Sequence, residues 1–274
     1  MIKNFADRRP ITFSFIVTLV IMILFMASMF LFAALFNVDL KSYEATTGFF
    51  ITSILAKLVF AVAIVFVLLR VEMQLVMRLS TKGLLKGFVL GWLPVALAVL
   101  VFLTSFDFSK ITIIEQDRWL LLLLYSVEML LAGLTEEFLC RGFLYNIALN
   151  KCKNVRNAVL LSSAIFGVVH LLNLVHQPLI GTLGQVVFAF GGGVLFAAIY
   201  ERSDNIWVVV LIHAIWNIVL GATGILIPEV SDVTVGTGGV IAEVLEIMPF
   251  LVIAALFIGM GLFLIRKKRL IAKT

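Results

Sequence analysis

Charged side chains make up only 14% of this chain of 274 residues, against about 25% in soluble globular domains. So few charges cannot cover a water-soluble fold of this length. Together with 62% hydrophobic residues and a mean hydropathy of +1.16, they give the composition of a polytopic membrane protein. Cysteine is nearly absent. Cys140 and Cys152 fall at the same end of one apolar run, on the side read below as cytoplasmic, which argues against a disulfide. No Cys-x-x-Cys and no Cys/His cluster suggests bound zinc, so neither a metal nor another cofactor is expected. The formal charge of +5 is not gathered in one patch, and nucleic acid is not an expected partner. There is no internal repeat and no low-complexity tract.

Eight apolar stretches predict transmembrane helices: about Ile11–Phe36, Gly48–Leu69, Phe88–Phe106, Trp119–Asn150, Val155–Leu174, Leu179–Tyr200, Asn205–Ile227 and Ile241–Ile265. Spans of about 20 residues with short connections leave no room for a soluble domain. The expected fold is therefore an all-α membrane helix bundle forming a single integral membrane domain, residues 1–274. An even number of spans puts both termini on one side. That side collects 17 of the 21 Lys and Arg residues, while Lys41, Lys110 and Arg118 lie opposite and Lys57 lies within a span. By the positive-inside bias, both termini are expected in the cytoplasm, and the acidic, Gly-containing connection Pro228–Gly239 outside. The segment Val71–Lys86 mixes apolar and basic residues and is expected along the inner surface.

The chain is organised around Leu134-Thr135-Glu136-Glu137-Phe138-Leu139-Cys140-Arg141. A charge at depth in a membrane costs about 2.5–3.5 kcal/mol on insertion scales, so two adjacent glutamates need a partner, water or a chemical role. Arg141 lies four residues beyond Glu137, on the same helical face. Glu136 projects elsewhere, and the local sequence supplies no cation for it. One glutamate can therefore be structural while the other is free for proton chemistry; for Glu137 an ion pair with Arg141 and a direct catalytic role both stay open, and Glu136 is the candidate for proton chemistry. Lys57 and Glu128 each lie about 14 Å from the outer ends of their helices. Equal depth and opposite sign make them candidate partners.

Further polar groups recur in later spans. Phe166, His170 and Asn173 follow at helical spacings of four and three, and His213 and Asn217 stack one turn apart. Counted from the cytoplasmic ends, Glu136, His170, His213 and Asn217 lie roughly 12–22 Å deep and can share one cavity in the cytoplasmic half. A Glu, two His and an Asn converging on water suit hydrolysis. Glu136 would take a proton from water, His170 would hold that water, and His213 with Asn217 would donate hydrogen bonds to an oxyanion. His176, in a connection beside Pro178, reads as an ordinary satisfied polar group. Gly191-Gly192-Gly193 reads as close helix packing.

Glu136-Glu137-x-x-x-Arg141, Phe166-x-x-x-His170 and His213-x-x-x-Asn217 resemble, in order and in separate helices, the three motifs of the CAAX-protease and bacteriocin-processing (Abi) family of intramembrane glutamate endopeptidases. The resemblance covers about Trp119 to Ile225. It implies that Glu136 is the water-activating base with His170 beside it, that His213 and Asn217 form the oxyanion site, and that Glu137 and Arg141 complete the first motif. It also implies a peptide or membrane-protein substrate, prenylated or not, and the Lys/Arg bias puts its entry at the cytoplasmic side of the cell membrane. A bacterial-type member is the expectation.

Three other readings compete. A zinc-dependent protease would use Glu136, His170 and His213 as ligands, but His-Glu-x-x-His is missing, as are the Gly-x-Ser-Gly and Gly-x-Gly-Asp signatures of other intramembrane proteases. A transporter would use the buried charges as a proton relay, but the paired halves common in transporters are not seen. A non-catalytic immunity or scaffold protein would keep the fold and bind without cutting.

Overall fold

The computed structural model describes residues 2–40, 45–73, 76–175, 177–227 and 239–266. His176 and nearly all of Pro228–Gly239 lie outside them. Among the described residues the regular elements are all helices: α1 (Ile2–Arg8), α2 (Pro10–Phe36), α3 (Thr47–Arg70), α4 (Leu84–Leu90), α5 (Trp92–Ser105), α6 (Gln116–Glu137), α7 (Asn146–Cys152), α8 (Val155–Val169), α9 (Leu179–Ser203), α10 (Ile206–Leu226) and α11 (Gly239–Ile265), with short non-α turns between some of them. Among the described residues seven helical stretches are long and apolar enough to cross a membrane, and an eighth if α4 and α5 count as one. This is a multi-pass membrane protein.

Local chemistry sets several boundaries. Pro10 opens α2, where its missing N–H costs nothing. Asn154 and Asn205 cap α8 and α10, each side chain accepting the backbone N–H three residues on. α9 ends on Asp204 in the left-handed region, φ 59°. The predicted third span starts earlier than expected, at Leu84, and is broken between α4 and α5 by a 58° bend. Pro94 stands in the first turn of α5 and cannot donate to the carbonyl of Leu90, while Gly91 at the break lies close against Ile212. The segment before α4 is tied to the end of α9, Arg78 reaching Glu201 at 2.7 Å and Asp204 at 3.0 Å.

The centre of the bundle is α9 beside α10. In their most apolar windows 67% and 56% of residues are buried, against 11% in α2 and 17% in α11, so the last two form the periphery. Lipid supplies little hydrophobic drive between helices, and close contact relies on small residues. The triple glycine of α9 does part of what the sequence suggested. A Cβ on Gly191 would sit 2.8 Å from the Ala254 backbone of α11, and one on Gly193 would sit 2.9 Å from Ser163 of α8. Gly192, between them, would meet no atom within 4 Å, because it faces a cavity.

Gly191 and Gly192 should respond differently to one methyl group. Gly191→Ala is expected to lower stability by about 1–3 kcal/mol through overpacking, and Gly192→Ala to leave it unchanged, as measured by thermal unfolding in detergent.

Candidate active site

α6 does not stop at the glutamates but loosens there. Directly after Glu137 the backbone runs as a π-helical stretch, Phe138–Tyr145, before α7 resumes. Wider turns of this kind often mark functional sites, and here all eight residues of the stretch are buried. The two glutamates, adjacent in sequence, occupy different environments. Glu137 is fully buried, and its Oε1 accepts a hydrogen bond from Arg141 at 3.0 Å and one from Nδ1 of His213 at 2.9 Å. The side chain of Glu136 is 31% exposed, and its Oε2 lies 3.8 Å from Nε2 of the same imidazole. That distance is too long for a direct hydrogen bond.

Arg141 is itself almost fully buried. Beyond Glu137 it donates to the carbonyl of Gly193 at 2.8 Å, and its guanidinium lies 5.1 Å and 5.8 Å from the ring centroids of Phe166 and Phe196. The ion pair expected from the four-residue spacing is present. The spacing did not reveal that His213, 76 residues away, shares the same carboxylate oxygen.

α8 ends one residue before His170, and a 3₁₀ turn, His170–Val175, takes over. The Nδ1 of His170 is 2.8 Å from the carbonyl of Phe166. A carbonyl only accepts, so Nδ1 carries the proton and Nε2 of the neutral ring is an acceptor. Phe166 stands edge-on to both imidazoles, 4.9 Å from His170 and 5.9 Å from His213. Asn173 does not continue the α8 face, since the tighter turn redirects it to Gln185 of α9, at 2.7 Å. On α10, the backbone carbonyl of Asn217 accepts from the Tyr125 hydroxyl at 2.8 Å, and Tyr125 packs over Gly221. α6 and α10 are thereby fastened together beside the Asn217 carboxamide.

Glu136, His170, Asn173, His213 and Asn217 all line one cavity of about 630 Å³. Glu137 and Arg141 stand behind its wall. Much of the rest is apolar and includes Met22, Met26 and Met29 of α2 and Phe49 and Phe60 of α3. A second charged group lines the same space: Lys57 and Glu128, expected from depth and sign to meet, are paired at 2.7 Å. Among the described residues no group of three or more His, Cys, Asp or Glu is arranged to hold a metal ion.

Sequence reasoning missed Tyr125, Gln185 and Phe196. Gln185 left a signal as a lone carboxamide in the apolar run of α9. Phe196 left none, being one of 24 phenylalanines.

The family model described as Type II CAAX prenyl endopeptidase Rce1-like matches residues 118–219. The match takes in every predicted site residue, from Glu136 to Asn217, and agrees with the resemblance read from the three motifs. It supports an intramembrane endopeptidase in general. Neither the curated proteins nor the solved structures contain a match to this chain.

The buried bridge makes a stability prediction that separates the two glutamates. Arg141→Met strands a buried carboxylate and should cost about 3–5 kcal/mol. Glu136→Gln, at the cavity wall, should leave the unfolding temperature in detergent close to that of the unaltered protein.

Proposed function

We propose that this chain is an intramembrane glutamic endopeptidase, in which Glu136 activates water against a peptide carbonyl. One observation carries the reading: of two adjacent glutamates, Glu137 is buried and bound by two cationic or imidazole donors, whereas Glu136 opens into a cavity lined by His170, His213 and Asn217. Such a division gives one carboxylate to architecture and one to proton transfer.

In this mechanism Glu136 accepts a proton from water, while Nε2 of His170 accepts the second water hydrogen bond and orients the oxygen. The water oxygen bonds to the peptide carbonyl carbon, and the carbonyl electrons move onto oxygen. Asn217 donates its N–H to that oxyanion. His213 donates through Nε2 when doubly protonated, with Nδ1–H held by Glu137. Glu136 then passes its proton to the amide nitrogen, the C–N bond breaks, and a carboxylic acid and an amine leave. Glu137 and Arg141 act by positioning His213, and Asn173 by its bond to Gln185 at the cavity wall.

The substrate in this reading is a peptide or membrane-protein segment, prenylated or not, that enters from the cytoplasmic side of the cell membrane. Its apolar part would rest against the Met and Phe side chains of α2 and α3. The Lys/Arg distribution supports cytoplasmic termini, and the chain is read as one membrane domain with its catalytic core at about 119–225.

The test uses purified protein in detergent with a fluorogenic peptide carrying a prenylated cysteine. Glu136→Gln should lower kcat by roughly 10²–10⁴-fold, and a chelator should have no effect. Full cleavage by a folded Glu136→Gln protein would overturn the mechanism, and chelator-sensitive cleavage with bound zinc would move it to a metal. Asn217→Ala should reduce kcat by roughly 10²–10³-fold with little change in KM, as expected for a donor that acts on the developing oxyanion.

A further inference from the structure

Lys57, Ser53 and Glu128 form a polar cluster that the proposed chemistry does not use. Ser53 and Lys57 stand on α3, outside the matched segment 118–219. Lys57 donates to Oγ of Ser53 at 2.8 Å and to Oε1 of Glu128 at 2.7 Å, and Ser53 donates to that same Oε1. An ammonium has three N–H groups, so among the described residues one is left without a hydrogen-bond acceptor, with the Phe25 ring centroid 5.8 Å from Nζ. Among the described residues no hydrogen bond is made to Oε2 of Glu128. Both side chains are nearly buried, 13% and 7% exposed, and both line the cavity that holds Glu136.

A peptide lying in this cavity brings its own backbone N–H and C=O groups into an apolar space, where each must find a partner. The cluster offers a donor beside an acceptor, which is the complement of the C=O and N–H that one residue of an extended chain presents on the same side, since the two ends of a single trans amide point opposite ways. It is also neutral as a pair. A carboxylate ligand would bring net charge into a low-dielectric cavity, whereas an amide brings none. Glu128 and Glu136 share α6 eight residues apart, or about 12 Å along its axis. At about 3.3 Å per residue of extended chain, that separation corresponds to three or four residues.

We propose that Lys57 and Glu128, joined by Ser53, form a substrate subsite that binds the backbone C=O and N–H of one residue three or four residues from the scissile bond. The proposal rests on Glu136 being the group that attacks that bond. It gives the cavity a register: a chain held at the subsite presents one particular bond to Glu136.

The experiment replaces each backbone amide in turn by an ester, in an alanine- and leucine-rich peptide carrying a prenylated cysteine. An ester removes the N–H and weakens the carbonyl acceptor. Where the ester removes the N–H of the residue held at the subsite, three or four residues from the cut, the unaltered protein should prefer amide to ester by about tenfold in kcat/KM, the size expected for a hydrogen bond to a charged group. The double variant Lys57→Met with Glu128→Leu should lose that preference while keeping the others. The preference is a ratio within one protein, so a reduced folded fraction does not alter it. The same ratio is read without turnover as Kd for the Glu136→Gln protein. An amide preference that survives the double variant, or no preference at any position, overturns the subsite. Cleavage that survives Glu136→Gln overturns the glutamate mechanism instead, and leaves the binding ratio to judge the subsite.

Discussion

A single carboxylate oxygen, Oε1 of Glu137, receives both Arg141 and His213. Removed from water, that carboxylate is tolerable only because both donors reach it, and the donors are fixed in turn because it is there. Arg141 ties the glutamate to the backbone of α9 through Gly193, and His213 ties it to α10. Three helices, α6, α9 and α10, are therefore joined through this one carboxylate, α9 by way of the Arg141 guanidinium. The π-helical stretch that follows Glu137 lies at the same junction.

From this junction the rest of the site follows by packing. Phe166 and Phe196 flank the guanidinium, Phe166 touches both imidazoles, and Tyr125 fixes the height of Asn217. Aromatic edges and faces thus perform in an apolar setting what a hydrogen-bond lattice would perform in water. They hold rotamers without adding polar groups that would themselves need partners. The polar atoms that remain are gathered at the cavity surface, where a substrate and water can satisfy them.

Much of the helical layout was legible in the sequence because a membrane allows few alternatives. Backbone groups must be satisfied within each span, so apolar length alone nearly defines a helix. Spacing revealed the Glu137–Arg141 pair, and depth with opposite sign revealed Lys57–Glu128. What stayed hidden depends on how helices rotate against each other. Nothing near His213 announces that its Nδ1 faces Glu137 from another helix, nor that Asn173 turns to Gln185 once a 3₁₀ turn replaces the end of α8. The bend before α5 was half visible. Pro94 was in plain view, but the close fit of Gly91 against Ile212 is a tertiary fact.

The cavity has walls of two kinds. The groups assigned to proton transfer and their braces come from helices between Gln116 and Leu226, whereas α2 and α3 add Lys57 and further Met and Phe side chains to a lining that Met129, Phe166, Phe188 and Phe196 share. No hydrogen bond of the Glu137 junction involves α2 or α3. The groups assigned to proton transfer are thus written in one stretch of the chain, while the groups that would receive a substrate are drawn from both, Glu128 of α6 among them. The freely exchangeable part is the Met and Phe lining of the α2–α3 hairpin: drift there alters what the cavity admits, whereas Lys57 must stay with its buried partner Glu128 on α6.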